Sequence, residues 1–148
     1  MTCDVESLSR FLDAQAPVYA QVVSELGAAR KTSHWMWFVF PQVRGLGHSS
    51  TARFYGIASR AEALAYWQHP VLGRRIQECA ALVLAAPVGL TAHDIFGTPD
   101  DLKLRSAMTL FAEVAPDEPV FREVLARFYA GQPDEATLAL LIGRPPIA

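Results

Sequence analysis

Residues 35–40 of this 148-residue chain, "WMWFVF", are six consecutive apolar residues, and this run limits how the sequence around it can fold. As a strand, the run would carry apolar side chains on both faces, so it would fit only the centre of a sheet. The sequence offers no clear partner strands. We therefore predict a buried short helix at the centre of the core, because tryptophan and phenylalanine bury large areas. The alternative is an exposed aromatic surface on which a planar ligand stacks.

The rest of the chain has the periodicity of helices. Val18, Val22 and Leu26, for example, recur at intervals of four and share one helix face. Similar patterns predict helices near residues 5–12, 18–26, 52–55, 60–68, 70–84, 101–114, 119–129 and 135–141. The sequence therefore predicts an all-α fold, a compact multihelical single domain over residues 1–148 with about six to eight helices around the aromatic segment. Residues 143–148 are expected to form a tail.

Two local signals refine this prediction. Ser59 and Glu62 are three residues apart at the start of a helix, which is the spacing of a capping box. Gly73 lies inside a predicted helix, where it costs ~1 kcal/mol relative to alanine. We expect this glycine to permit the close approach of a neighbouring element.

Composition disfavours several classes of function. Apolar residues make up 51% of the chain and charged residues 19%, with a formal net charge of −2 at pH 7. That charge does not favour nucleic acid as a partner. No apolar run approaches the ~20 residues that span a bilayer, and no secretory signal is visible, so we expect a cytoplasmic protein without a membrane partner.

Neither a metal nor a cofactor is expected from the sequence. The four histidines show no close metal-ligand spacing, and no glycine-rich phosphate loop is present. Cys3 and Cys79 do not make a disulfide framework and are typical of a reducing compartment.

Two histidines are candidates for catalysis. His34 lies at the polar edge of the aromatic run, where its imidazole could act as an acid or base. The alternative is that His34 satisfies a backbone carbonyl. His69 precedes Pro70, and proline favours the first position of a helix, so the imidazole is placed to cap that helix instead.

Other polar and aromatic residues are candidates for ligand binding. Lys103 and Ser106 are three residues apart and share a helix face, which could hold an anion if it borders a cleft. The alternative is an ordinary solvated face. Trp35 and Trp37 are candidates for stacking against a planar ring. Arg74 could face a ligand anion, although paired arginines on a helix usually face solvent.

Five segments support a resemblance to a known family. They are "SHWMWFVFPQ", "GLGHS", "AYWQHPVLGRRI", "IFG" and "DDLKLRSAMTLF", in that order. Over about residues 11–141 the chain resembles the bacterial family catalogued as domain of unknown function 1810. The resemblance implies a compact, predominantly helical bacterial domain without an established activity. Members are sometimes labelled "calpastatin", but calpastatins are repetitive and disordered, and this chain is neither.

The family provides no catalytic residues that could be assigned to this chain. Ala107 stands where the family has a second serine before "MTLF", so we expect no catalytic hydroxyl at that position. The polar residues that match the family segments are His34, Gln42, Ser49, His69, Asp101, Lys103, Ser106 and Thr109.

Two hypotheses for the function follow, and the sequence does not decide whether the protein is an enzyme. In the first, a cleft near His34, His69 and Lys103 binds or processes a small nucleotide-like or phosphorylated ligand. Its further candidate contacts are Trp35, Trp37, Gln42, Ser49, Ser106 and Thr109. In the second, the chain is a protein-interaction or self-assembly module, in which an apolar patch meets a partner or a second copy. Binding of single-stranded nucleic acid through the aromatic residues is disfavoured by the acidic net charge.

Overall fold

A computed structural model describes the backbone of residues 3–142 and the side chains of residues 8–142. Within these residues the fold is all-α, as predicted, with ten helices and one isolated parallel bridge between Val43 and Ile57. The helices are α1 (Cys3–Gln15), α2 (Tyr19–Gly27), α3 (Met36–Val39), α4 (Ser50–Tyr55), α5 (Arg60–Gln68), α6 (Leu72–Leu84), α7 (Ala92–Phe96), α8 (Asp100–Val114), α9 (Val120–Tyr129) and α10 (Glu135–Leu141). Within the described residues, nine helices surround α3, which is the predicted short helix of the aromatic run; they exceed the predicted six to eight because α7 is a separate helix of five residues. The predicted tail at 143–148 lies outside the described residues.

Helix α8 is the central element of the fold. Along most of its length it is buried on every side, between α5, α7, α9 and α10. Helix α6 packs against α9, α5, α2 and α3, so the amphipathic faces of these helices close around a shared core. The buried apolar side chains form a cluster that extends from Leu8 in α1 to Leu125 in α9.

The aromatic run is part of this core, and the prediction of a buried short helix is confirmed. Trp35, Met36, Val39 and Phe40 are each at most 2% exposed. The rings of Trp35 and Phe40 both contact Phe96 of α7 in edge-to-face geometry, with centroid distances of 6.5 and 6.2 Å. The run therefore joins the N-terminal helices to α7 through direct aromatic packing.

The carboxylate of Glu25, at the end of α2, fixes the approach to the aromatic run. It accepts hydrogen bonds from the backbone N–H groups of Thr32 (2.8 Å) and Ser33 (3.1 Å) and from the indole Nε1 of Trp35 (3.0 Å). The side chains of Ser33 and Gln21 donate two more. Burial would raise the pKa of this carboxyl, but the hydrogen bonds from Ser33, Gln21, Thr32 and Trp35 together lower it far below its ordinary value. Glu25 is therefore ionised although it is buried.

A buried amide joins three further elements. Gln15, at the end of α1, is 1% exposed and donates to the carbonyl of Phe38 (2.7 Å) and the hydroxyl of Tyr66 (3.0 Å). Its Oε1 accepts from Arg75 of α6 at 3.2 Å. Because α1, α3, α5 and α6 all meet at this one side chain, their relative positions are fixed by oriented bonds as well as by packing.

At the start of α5, the hydroxyl of Ser59 accepts the backbone N–H of Glu62, as the predicted cap requires. The carboxylate of Glu62 accepts the N–H of Ala58 at 2.7 Å and pairs with Arg10 of α1 at 3.3 Å. The residues of the capping pair therefore also tie α5 to the first helix.

Replacing Glu25 with glutamine should destabilise the protein by ~2–3 kcal/mol at pH 7, because an amide group cannot accept from all five donors. The folded-state pKa is lowered, so the contribution of the carboxylate is complete above the unfolded value of 4.5 and is lost as the pH falls below it. Between pH 5 and pH 3 the wild type should lose ~2 kcal/mol more than Glu25→Gln. Urea unfolding at both pH values measures this difference. The exposed Glu123→Gln is the control, and an equal pH dependence in wild type and Glu25→Gln would contradict the role.

Gly73 permits the close approach predicted from the sequence. A Cβ at this position would lie 2.0 Å from the backbone carbonyl oxygen of Trp67. We expect Gly73→Ala to lower the free energy of unfolding by about 2–3 kcal/mol, since the clash outweighs the better helix propensity of alanine. Gly27→Ala is the matched control, because a Cβ there meets nothing within 4 Å. Denaturant unfolding should show the control unchanged or more stable; a stable Gly73→Ala would refute the steric explanation.

Candidate functional site

A cleft of about 420 Å³ opens between the start of α8 and the loop that follows α3. This volume is within the range of small-molecule sites. Its walls come from four parts of the chain: α3, the loop to α4 with the start of α4, the first turns of α8, and the residue before α10. The lining residues are Trp37, Gln42, Leu46, Gly47, His48, Ser49, Ala52, Pro99, Leu102, Lys103, Ser106 and Asp134.

The loop wall of the cleft is held at its base by backbone hydrogen bonds. Ile57 donates to the carbonyl of Gln42 and accepts from the N–H of Arg44, each at 2.8 Å. Gly56 is required at this closure, because a Cβ would lie 2.9 Å from the Cα of Arg44. The hydroxyl of Ser49 caps α4 by accepting the N–H of Ala52 at 3.1 Å. Residues 44–56 thus project as a closed loop that carries His48 and Ser49 to the cleft.

Three charged residues meet at the α8 wall. One carboxylate oxygen of Asp100 lies 2.7 Å from Lys31 Nζ, and the other lies 3.6 Å from Lys103 Nζ. The ammonium group of Lys103 also lies 4.0 Å from the ring centroid of Trp37, which is cation–π geometry. This cluster contains two cations and one anion, and Lys103 is its member that lines the cleft, together with the carboxylate of Asp134, the residue before α10.

The hydroxyl residues of α8 have two different roles. Ser106 is 6% exposed, lines the cleft and donates to the carbonyl of Leu102 at 3.3 Å. Thr109 is 2% exposed and does not line it. Its hydroxyl donates to the carbonyl of Arg105 (2.8 Å) and accepts the N–H of Asp134 (2.9 Å). Thr109 therefore positions Asp134, whose carboxylate caps α10 and borders the cleft.

Five of the residues chosen from the sequence converge at the cleft: Trp37, Gln42, Ser49, Lys103 and Ser106. Trp35 does not line the cleft. The prediction that its ring is a stacking surface is corrected, because the side chain lies in the core and is only 1% exposed. The suggestion that Thr109 contacts ligand is corrected in the same way, since its hydroxyl is buried behind the cleft.

The structure does not bring His34 or His69 to this cleft. His34 is exposed on the surface and is absent from the lining. The Nδ1 of His69 accepts the backbone N–H groups of Val71 (3.1 Å) and Leu72 (3.3 Å), so its imidazole caps the start of α6. A catalytic role for either histidine stays a prediction, as does self-assembly of the chain.

Sequence reasoning missed the other seven lining residues, which are Leu46, Gly47, His48, Ala52, Pro99, Leu102 and Asp134. The sequence could have indicated His48, because it precedes Ser49 in the family segment "GLGHS". Asp134 shows only the signature of a helix cap, and it is brought to the cleft by its distant contact with Thr109.

Among the described side chains, no cluster of three or more histidine, cysteine, aspartate or glutamate residues could hold a metal ion. Among the helices of residues 3–142, none is long and apolar enough to cross a membrane.

The geometry defines a class: an all-α protein with a polar cleft beside a short central aromatic helix. A family model described as "Protein of unknown function (DUF1810)" matches residues 5–141, and the chain belongs to this family. The resemblance seen in the five sequence segments is thereby confirmed.

A solved relative has the same fold. The crystal structure of the conserved hypothetical protein Rv1873 from Mycobacterium tuberculosis is 55% identical in sequence and superposes with a TM-score of 0.89. The similarity covers 91% of this chain and 96% of that one. Among curated proteins, no sequence matches.

His69→Ala should lower the free energy of unfolding by ~1 kcal/mol, because the first N–H groups of α6 lose their acceptor. His69→Asn should restore much of that loss, since an asparagine oxygen accepts the same kind of bond. Thermal and urea unfolding of the three proteins measure the effect. A fully stable His69→Ala would contradict the capping role and leave catalysis as the explanation to test.

Proposed function

We propose that the cleft binds a small phosphorylated, nucleotide-like ligand and that Lys103 holds its phosphate. The observation that carries this proposal is that Lys103 lines a cleft large enough for a small molecule, while its partner Asp100 is held more closely by Lys31. An anion can therefore pair with Lys103, because one carboxylate is shared between two ammonium groups.

Of the two lysines, Lys103 is the one available to a ligand. The side chain of Lys31 is 6% exposed, and its ammonium group already bonds Asp100 at 2.7 Å and the carbonyl of Ser33 at 2.6 Å. The side chain of Lys103 is 20% exposed and lines the cleft, and its contact with Asp100 is longer, at 3.6 Å. Lys31 therefore neutralises Asp100, and Lys103 retains N–H donors for a phosphate.

Trp37 changes role in this proposal. Because the ammonium group of Lys103 lies over its ring, that face is not open for stacking with a ligand. The tryptophan instead holds the cation in place, which reduces the conformational freedom that Lys103 would lose on binding. The structure thus favours recognition of a charged group over recognition of a planar ring at this point.

The other lining side chains suit a ligand with hydroxyl groups. Gln42, Ser49 and Ser106 offer neutral donors and acceptors. The hydrogen bonds that the carboxylate of Asp134 accepts from Thr137 involve Oδ2, so Oδ1 can accept from a sugar hydroxyl. A phosphorylated sugar or nucleotide meets both requirements. The proposal places this binding in a single bacterial cytoplasmic domain and assigns no reaction.

The test is titration of ¹⁵N-labelled protein with AMP and ribose 5-phosphate, with adenosine and ribose as uncharged counterparts. The phosphorylated compounds should shift the amide signals of residues 42–49 and 100–106, and calorimetry should give the dissociation constants. Lys103→Met should weaken binding ~10- to 100-fold, because it removes a charge-assisted hydrogen bond worth ~1.5–3 kcal/mol.

Arg60→Gln is the matched control for the loss of one positive charge. Arg60 pairs with Glu113, ten residues along α8 from Lys103, which corresponds to ~15 Å of helix. This variant should bind as wild type does. Equal weakening by both variants would indicate general attraction of anions to the surface, and shifts with adenosine alone would exclude a role for the phosphate.

A further inference from the structure

A second groove, of about 470 Å³, lies between α2 and the start of α6. Its lining residues are Tyr19, Pro70, Val71, Arg74, Arg75 and Glu78. None of them lines the first cleft, and neither the family description nor the relative assigns it a role. From its charges and contacts we propose that it binds an organic carboxylate: the two arginines hold the carboxylate, and the apolar wall covers the hydrocarbon.

Arg75 is held in place before any ligand arrives. One guanidinium nitrogen donates to the buried Oε1 of Gln15 at 3.2 Å, and the guanidinium carbon lies 4.6 Å from the ring centroid of Tyr19. Because Gln15 itself is fixed by Phe38 and Tyr66, the anchor of Arg75 cannot rotate freely. The remaining N–H donors of Arg75 thus have a defined orientation, which reduces the entropy lost on binding.

The side chain of Arg74 has no hydrogen-bond or ion-pair partner within the part of the chain that the structure describes, and it is exposed. Glu78 is one helical turn away, where it would ordinarily pair with an arginine. In the structure its carboxylate instead accepts a hydrogen bond from the hydroxyl of Tyr19. Burial and this hydrogen bond raise the pKa of Tyr19 above its ordinary value, so the phenol keeps its proton and stays a donor to Glu78.

The charge balance selects the class of ligand. Two guanidinium groups and one carboxylate leave the groove with one surplus positive charge, which a single carboxylate neutralises. Guanidinium groups match carboxylates in shape and can donate two parallel hydrogen bonds. Pro70 and Val71, which is 39% exposed, provide the apolar surface for a hydrocarbon body. This inference does not depend on the phosphate site.

Benzoate is the probe, and benzamide is its uncharged counterpart of nearly the same shape. In titrations of ¹⁵N-labelled protein, benzoate should give saturable shifts at residues 70–78 and benzamide should not. Arg74→Gln should weaken benzoate binding about tenfold or more through loss of one charge-assisted contact. Since Arg74 has no partner in the described residues, this variant should keep the unfolding midpoint of the wild type.

Arg75→Lys separates geometry from charge. It keeps the positive charge but removes the planar group, so it should also weaken binding. Arg60→Gln should not, because Arg60 is at the start of α5 and is not among the lining residues of the groove. Equal binding of benzamide and benzoate would overturn the proposal in favour of an apolar groove. Unchanged benzoate affinity in Arg74→Gln, or shifts confined to other residues, would overturn it as well.

Discussion

The buried carboxylate of Glu25 is the interaction on which the centre of this structure depends. It receives five hydrogen bonds, four of them from the segment that enters the aromatic run and one from Gln21. Since a buried charge without such donors would cost several kcal/mol, the segment can adopt only conformations that supply them. The bond to the indole of Trp35 then sets which of the two tryptophans enters the core. Trp37, two residues later in α3, is left at the edge of the cleft.

The same segment also determines the charge of the cleft. Lys31 lies between Glu25 and the aromatic run, and its ammonium group reaches Asp100 at the start of α8. This pairing neutralises the aspartate that would otherwise compensate Lys103. The availability of the Lys103 ammonium group therefore depends on an ion pair behind the cleft, and the segment contributes both to folding and to the placement of charge.

Much of the fold was readable from the sequence because helix faces and caps are local signals. The apolar faces of α6, α8 and α9, the cap at Ser59 and the short helix in the aromatic run all depend on residues close together in the chain. Only some residues of the cleft could be predicted from the sequence. Lys103 and Ser106 share a helix face, but the roles of Glu25, Lys31 and Asp134 depend on contacts across 7 to 69 residues, which periodicity does not encode.

The aromatic run illustrates why residue type alone predicts function poorly. Trp35 and Trp37 are chemically identical and two residues apart, and each has a lysine ammonium group near its ring, Lys31 at 5.0 Å and Lys103 at 4.0 Å from the centroid. Trp35 is nevertheless enclosed in the core by Phe40, Phe96 and the Glu25 carboxylate, whereas Trp37 lines the cleft. Because the ammonium group of Lys103 covers one face of Trp37, this tryptophan supports a cation at the cleft. In the function we propose, the cleft is therefore an anion site in which the aromatic ring positions the lysine.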